Sequence, residues 1–95
     1  MDKPKAYRIE VSPAGERDLQ KLKDRIRRHD FERLSSSIRA LGFEPRPHGV
    51  RKIKGAEAAY RIRLGGYRVV YEVYDAQELV LILQIARRTE TTYRP

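Results

Sequence analysis

Apolar and polar residues alternate along the middle of the chain. The stretch YRIRLGGYRVVYEVY, residues 60–74, contains Gly65-Gly66, a dipeptide that is typical of two-residue hairpin turns. A turn at these glycines would place Arg63 directly opposite Arg68, and strand side chains alternate between the two faces of a sheet. The pattern therefore predicts a hairpin with one arginine-bearing face and one apolar face. The apolar face consists of Tyr60, Ile62, Leu64, Tyr67, Val69 and Tyr71.

Two helices are predicted before this hairpin, after an alternating first strand at residues 6–11. Ser12 followed by Pro13 is the usual sequence of an N-cap and a first helical residue. Asp30 is the expected N-cap of the second helix, and Gly42 is expected to end it. The apolar stripes consist of Leu19, Leu22 and Ile26 in the first helix and of Phe31, Leu34, Ile38 and Leu41 in the second.

A last strand is predicted at residues 79–86, which are strongly apolar. Gln84 interrupts the apolar run, so we expect the even-numbered positions of this strand to face away from the helices. That register would put Arg88 on the arginine-bearing face. It requires a bulge or a turn of odd length near Asp75.

The predicted order of elements is β-α-α-β-β-β, with a proline-rich loop at residues 43–49 and a short extended or loop segment at residues 50–54. Helices with one apolar stripe each need a sheet to cover. We therefore predict a single α+β domain over residues 1–95, in which two antiparallel helices pack on one face of a curved, mainly antiparallel sheet.

Composition narrows the functional classes. The 95 residues contain no cysteine, which excludes disulfides, thiolate chemistry and thiolate metal sites. No apolar run reaches the roughly 18 residues of a membrane span, and the start, MDKPKAYRIE, lacks the apolar core of a signal peptide. We expect a cytoplasmic protein with no membrane partner.

Positive charge is concentrated in one part of the chain. The formal net charge is +8, and residues 46–68 contain seven lysines and arginines but only one acidic residue, Glu57. Such a surface is typical of proteins that bind nucleic acid or the ribosome, although an acidic protein partner or a solvated face would also account for it. The basic residues are Arg46, Arg51, Lys52, Lys54, Arg61, Arg63 and Arg68.

Four arginines are expected to converge on the exposed face of the sheet. A guanidinium group presents a planar fork of donors that binds phosphate in a bidentate manner and keeps its charge. The alternative is neutralisation by carboxylates of the same chain, for which the candidates are Glu72, Asp75 and Glu90. The four arginines are Arg61, Arg63, Arg68 and Arg88.

Other candidate chemistry is sparse. Tyr93, in RRTETTYRP, is a candidate for docking, base stacking or proton transfer, or it packs on the domain edge. His29 and His48 are lone histidines, and the sequence contains no phosphate-binding loop, dinucleotide fingerprint, zinc spacing or nucleophile elbow. We therefore expect no metal and no cofactor.

Three stretches carry a resemblance to a known family: YRIEVSPAGERDLQKL, then KIKG followed by YRIRLGGYRVVYEV, and finally ARRTETTY. Over nearly the whole chain, the sequence resembles the RelE/ParE toxin superfamily of toxin–antitoxin modules, and the middle block is typical of the RelE branch. The resemblance implies the RelE-like microbial RNase fold and an mRNA interferase, a ribosome-dependent endoribonuclease that cuts mRNA in the ribosomal A site. It also implies a RelB-like antitoxin partner in a hetero-oligomeric complex.

The resemblance assigns roles to particular residues. Better-known members have lysines at the first two catalytic positions, where this chain has Arg61 and Arg63. Arginine is a poor general base because it is effectively never deprotonated. Arg87 is the alternative to Arg88 at the fourth position. The catalytic positions fall on Arg61, Arg63, Arg68, Arg88 and Tyr93. RNA or ribosome contact is expected from Arg46, Arg51, Lys52, Lys54 and Arg87.

Three functions remain open from the sequence. The leading hypothesis is metal-independent cleavage, in which the ribose 2′-OH attacks the scissile phosphate. The second is a ParE-like inhibitor of DNA gyrase without nuclease activity, because the two branches share the fold. The third is a toxin-like protein that only binds its antitoxin.

Overall fold

The computed structural model describes residues 6–87, which form two helices and one five-stranded sheet. In the sheet, β1 is parallel to β5, and the other neighbouring pairs of the order β1-β5-β4-β3-β2 are antiparallel. This confirms the predicted α+β class, and β2 forms in the segment predicted as extended or loop. The elements are β1 (Arg8–Val11), α1 (Pro13–Arg25), α2 (Arg28–Ala40), β2 (Arg51–Lys52), β3 (Ala59–Leu64), β4 (Tyr67–Tyr74) and β5 (Leu79–Arg87).

The core lies between the two helices and one face of the sheet. Leu22 of α1 and Leu34 and Ile38 of α2 are buried there, as their helical spacing predicts. The largest fully buried side chains come from the central strands β4 and β5 and are Val69, Tyr71, Val80 and Ile82. Neither helix, at 13 residues, has the length and apolarity that a membrane span requires.

Close packing explains the glycines near the two helix ends. Ser12 caps α1 as predicted, because its side-chain oxygen accepts a hydrogen bond from the Gly15 N–H at 3.1 Å. A Cβ at Gly15 would lie 2.9 Å from the Ile82 carbonyl oxygen, so the helix start approaches β5 too closely for a side chain. A Cβ at Gly42 would lie 2.8 Å from the Tyr7 carbonyl oxygen. Both glycines therefore permit close backbone contact.

The predicted start of α2 is wrong. The helix begins at Arg28, its N-cap is Arg27, and the N-cap side chain makes no capping hydrogen bond. Asp30 lies inside the first turn, where its negative charge still favours the positive end of the helix dipole. The physical reason is the short connection: only residues 26 and 27 separate the helices, so α2 starts before a suitable capping residue occurs.

The β3–β4 hairpin has the predicted register. Leu64 pairs with Tyr67 across the two-glycine turn, and Arg63 lies opposite Arg68. Gly65 has a φ angle of 63°, in the left-handed region that favours glycine. The turn chemistry therefore fixes which side chains of the hairpin share a face.

A bulge reverses the faces of β5 part-way along the strand. Tyr71 pairs with Ile82, whereas the next residue back, Val70, pairs with Gln84, so Leu83 is the extra residue. The prediction that all even positions face away from the helices is wrong for Ile82, which is fully buried, and right for Gln84, which is exposed. The bulge is predicted near the β4–β5 turn but lies five residues after that turn ends.

Asp18 of α1 and Ser12, the N-cap residue of that helix, hold this bulge in place. The backbone N–H of Ile85 donates a hydrogen bond to the Asp18 carboxylate at 2.9 Å. The Ser12 hydroxyl donates to the Leu83 carbonyl oxygen at 3.2 Å. Both bonds go to backbone groups beside or within the bulge, so α1 and its N-cap residue support the point at which β5 changes face.

Candidate RNA-binding and catalytic site

Four arginines share the face of the sheet that points away from the helices. Arg51 of β2 pairs with Arg61 of β3, and Arg63 of β3 pairs with Arg68 of β4. We call the surface formed by these four side chains the arginine face. The structure thus brings together three predicted catalytic arginines and adds Arg51, for which the sequence predicts RNA contact.

A surface pocket of about 250 Å³ lies on the arginine face. Its lining includes all four arginines, with Gly49 at its edge. Gly49 has a φ angle of 91°, in the left-handed region, so the loop turns there without a side chain. Several guanidinium groups around one small pocket form a site that can hold a single anionic group such as phosphate.

Carboxylates do not neutralise the arginine face within residues 6–87. The salt bridges in that part of the chain are Arg8–Glu10, Arg28–Glu32 and Arg46–Asp75. Of the acids considered as partners, Glu72 accepts a hydrogen bond from the Tyr74 hydroxyl at 2.6 Å, and Asp75 binds Arg46. Glu90 lies outside the described residues. The two arginine pairs therefore place like charges opposite each other, which is destabilising in a sheet unless an anion intervenes.

A second pocket of about 230 Å³ adjoins the first and shares Arg61 and Arg68 with it. The sequence predicts that Gln84 faces away from the helices but assigns it no role, and the structure places it in the wall of this pocket. Its position depends on the β5 bulge, which the sequence places near Asp75 and the structure places at Leu83. The remaining lining residues are Ile53, Val70 and Ala86.

The other predicted RNA-binding residues lie apart from these pockets. Lys52 pairs with Tyr60 and therefore belongs to the helix side of the sheet, and Lys54 is exposed in the turn after β2. Arg87 pairs with Tyr67, so the register places it on the helix side as well. Consequently Arg87 does not join the arginine face. Arg88 and Tyr93 are outside the described residues.

Arg46 belongs to a separate cluster, centred on Asp75. Its guanidinium donates to both Asp75 carboxylate oxygens, at 2.8 and 3.2 Å, and its Nε donates to the Tyr60 hydroxyl at 2.9 Å. The Tyr7 hydroxyl donates to Asp75 at 2.7 Å. The charge of Arg46 is thus paired with a carboxylate, and the structure does not bring Arg46 into the arginine face.

The same cluster shifts the pKa values of its members. Hydrogen bonds from Arg46 and Tyr7 lower the pKa of Asp75, and the bond to Asp75 raises the pKa of both donors. Burial raises the pKa of the Tyr71 hydroxyl to about 12, and this hydroxyl donates to the Pro45 carbonyl oxygen at 2.7 Å. These contacts fasten the loop that precedes β2, and therefore the strand that carries Arg51.

The described part of the site is rich in hydrogen-bond donors and poor in bases. Each guanidinium group donates only, and Gln84 is uncharged. Within residues 6–87, no group of three or more His, Asp or Glu side chains is placed to hold a metal ion. The geometry therefore suits binding of a phosphate and stabilisation of its negative charge.

Comparison with known proteins assigns this chain to a family. Residues 9–91 match the model of the ParE toxin of the type II toxin–antitoxin system parDE. The chain is 31% identical over 93 residues to the toxin RelE of Mycobacterium tuberculosis, covering 93% of this chain and 87% of that protein. This chain belongs to the RelE/ParE toxin superfamily. It is a type II toxin of the RelE family.

Solved structures of RelE toxins have the same fold as this superfamily member. RelE in the archaeal RelE–RelB complex from Pyrococcus horikoshii is 28% identical, with a TM-score of 0.71 and coverage of 87% of this chain and 96% of that one. The isolated E. coli RelE toxin is 25% identical, with a TM-score of 0.66 and coverage of 95% and 88%. These likenesses confirm the predicted RelE-like fold.

Proposed function

We propose that this toxin is an endoribonuclease that cuts mRNA in the A site of the ribosome. The observation that carries the proposal is the arginine face, in which four guanidinium groups line one pocket without a carboxylate partner among residues 6–87. Unpaired like charges are costly, and a phosphodiester group would offset that cost by binding between them. The kinship with RelE toxins supports RNA as the source of the phosphate.

In the proposed reaction, the ribose 2′-OH adjacent to the scissile phosphate attacks it in line. The O–P bond to the 5′ oxygen of the next nucleotide breaks, the 2′-OH loses its proton, and the leaving 5′ oxygen gains one. The products are a 2′,3′-cyclic phosphate end, which water can open to a 3′-phosphate, and a 5′-OH end. The nucleophile belongs to the substrate, so the reaction as proposed needs no metal ion. The crowded phosphorus centre gains negative charge in the transition state, and fixed donors stabilise that charge.

Arg61, Arg63 and Arg68 would hold the phosphate and stabilise this charge, with Arg51 closing the same pocket. Removing one preorganised donor from such a site typically costs about 2.7–4 kcal/mol, or roughly 100- to 1000-fold in rate. The arginines would not act as the base, because a guanidinium group is effectively never deprotonated. Their contribution is therefore electrostatic.

Proton transfer is assigned to residues beyond the described part of the chain and to the ribosome. We propose that Tyr93 orients the base or accepts the 2′ proton and that Arg88 stabilises the leaving oxygen. The ribosome would hold the mRNA in a reactive geometry, which supplies much of the rate when a protein has few acid–base groups of its own. Such a toxin acts in the cytoplasm, where translating ribosomes are found.

The proposed partner that restrains this toxin is a RelB-like antitoxin. RelE toxins of known structure have been crystallised in complexes with RelB from Pyrococcus horikoshii and from E. coli. An acidic segment of such a partner would find complementary charge on the arginine face. The proposed resting form is thus a hetero-oligomeric toxin–antitoxin complex.

The test adds the purified toxin to translating ribosomes and maps mRNA ends by primer extension. We expect cuts in phase with A-site codons, and we expect Arg68→Ala to reduce them roughly 100- to 1000-fold. Arg28→Ala is the matched control, because Arg28 is an exposed arginine on α2, on the opposite side of the sheet. Equal losses from the two variants would refute the role of the arginine face.

A gyrase inhibitor is the second candidate, because the matching family model is that of a ParE toxin. Intact mRNA on translating ribosomes, together with blocked DNA supercoiling by gyrase, would favour this candidate and overturn the nuclease. Failure of induced expression to arrest growth would favour a toxin-like protein that only binds its antitoxin.

A further inference from the structure

We propose that Gln84 determines base specificity by contacting a nucleobase next to the phosphate held on the arginine face. This inference rests on the proposed endoribonuclease function and names a residue that reads the substrate. It is carried by the second pocket, which shares Arg61 and Arg68 with the phosphate-sized pocket beside it.

The second pocket differs in chemistry from its neighbour. Val70, Ala86 and Ile53 supply apolar surface, and the two shared arginines supply cationic walls. A nucleobase has a flat apolar face and a polar edge, so it can lie on the apolar surface and against a guanidinium plane. The arrangement therefore suits a base, while the adjoining pocket suits the phosphate of the same strand.

Gln84 is the side chain that would allow the second pocket to discriminate between nucleobases. Every arginine on the arginine face is a donor only, whereas a carboxamide offers both a donor and an acceptor. Gln84 is exposed, and its side chain makes no hydrogen bond within residues 6–87. Its amide is thus available to form hydrogen bonds with the edge of a base. Contacts with phosphate carry no information about which base is present, so this amide can add sequence specificity.

The fold places Gln84 there by a specific device. In a regular strand, Gln84 would share the face of Ile82 and point toward the core, where Ile82 is fully buried. The extra residue, Leu83, turns Gln84 to the opposite face, beside Val70. Asp18 of α1 secures the bulge by accepting the Ile85 N–H. Bulges often re-aim side chains at functional sites, and this one moves a polar side chain into the pocket.

The test compares cleavage maps of the native toxin and Gln84→Met on translating ribosomes. Methionine keeps the length of the side chain and removes both hydrogen-bonding groups. We expect the ratio of cuts at preferred codons to cuts at other codons to fall by roughly 5- to 150-fold, the range that a good side-chain–base pair supplies. Gln20→Met makes the same change on the exposed surface of α1 and should leave the ratio as in the native protein.

Each outcome supports or overturns the inference. Two results for Gln84→Met would overturn the role of Gln84. One is a codon ratio equal to that of the native toxin. The other is an equal loss of cleavage at every codon in a variant that melts at the same temperature as the native toxin. In either case, the proposed nuclease stands if the native toxin cuts mRNA and Arg68→Ala does not. Absence of cuts by the native toxin overturns the proposed function and this inference together.

Discussion

The arginine face should make the free toxin less stable than a variant with fewer charges. Arg63 and Arg68 are direct cross-strand partners, and Arg51 and Arg61 form a second such pair. Replacing Arg63 by glutamine removes one repulsive pair and leaves a side chain of similar polarity. We therefore expect Arg63→Gln to melt at a higher temperature than the native protein.

The expected magnitude follows from the register. Two unit charges about 6 Å apart in water repel by about 0.7 kcal/mol, within the roughly 0.2–1 kcal/mol typical of cross-strand pairs. For a domain of this size, such a change raises the melting temperature by roughly 1–8 °C. In about 1 M NaCl, where the Debye length is about 3 Å, the repulsion falls roughly sevenfold.

The assay is thermal denaturation followed by circular dichroism at low and high salt. The control Arg8→Gln removes the same charge from an exposed strand residue that has a carboxylate partner, Glu10, at 2.8 Å. We expect no gain in stability from this control. Inorganic phosphate should raise the melting temperature of the native protein more than that of Arg63→Gln, because a ligand that binds only the folded state raises the stability of that state.

Two results would refute this reasoning. A lower melting temperature for Arg63→Gln at low salt would mean that the arginine makes stabilising contacts that outweigh the repulsion. A rise that persists unchanged in about 1 M NaCl would mean that the gain is not electrostatic.

Two further predictions concern the contacts that support the site. Asp18→Ala should lower the free energy of unfolding, measured by urea denaturation, by roughly 1–3 kcal/mol, because it leaves the Ile85 N–H without its acceptor. The control Asp24→Ala, on the exposed side of the same helix, should change this free energy little. Because Arg46 holds the pKa of Asp75 below its ordinary value of 3.8, the carboxylate contributes stability above that pH and loses it as the pH falls toward the lowered value. Melting temperatures should therefore separate the native protein from Asp75→Asn at neutral pH and converge in acid. A constant difference across this range would contradict the assignment.

Local patterns predicted the parts of the fold that depend on local chemistry. The glycine pair fixed the hairpin turn, and alternation then fixed the faces of β3 and β4, so the pairing of Arg63 with Arg68 follows from fifteen consecutive residues. Ser12 and Pro13 likewise marked the start of α1. In each case, the deciding residues are neighbours in sequence.

Features set by distant residues could not be predicted in the same way. Asp18, which lies 67 residues from Ile85, supports the β5 bulge, so local alternation predicted the face of Gln84 but neither the location of the bulge nor the burial of Ile82. Arg46 counts toward the basic segment in the sequence, yet Asp75, 29 residues away, takes up its charge. Charge clusters in a sequence therefore overestimate the free charge at a site when carboxylates elsewhere in the chain pair with some members.

The position of β5 in the sheet also governs when the protein can fold. This strand is synthesised last among the described elements, yet it lies between β1 and β4 and supplies the buried Val80, Ile82 and Ile85. A nascent chain that ends before residue 79 lacks the strand on which α1 packs and the one to which β1 pairs. The ribosome must therefore have synthesised β5 before the product can take its folded form, which delays the appearance of active toxin until that strand has left the ribosome.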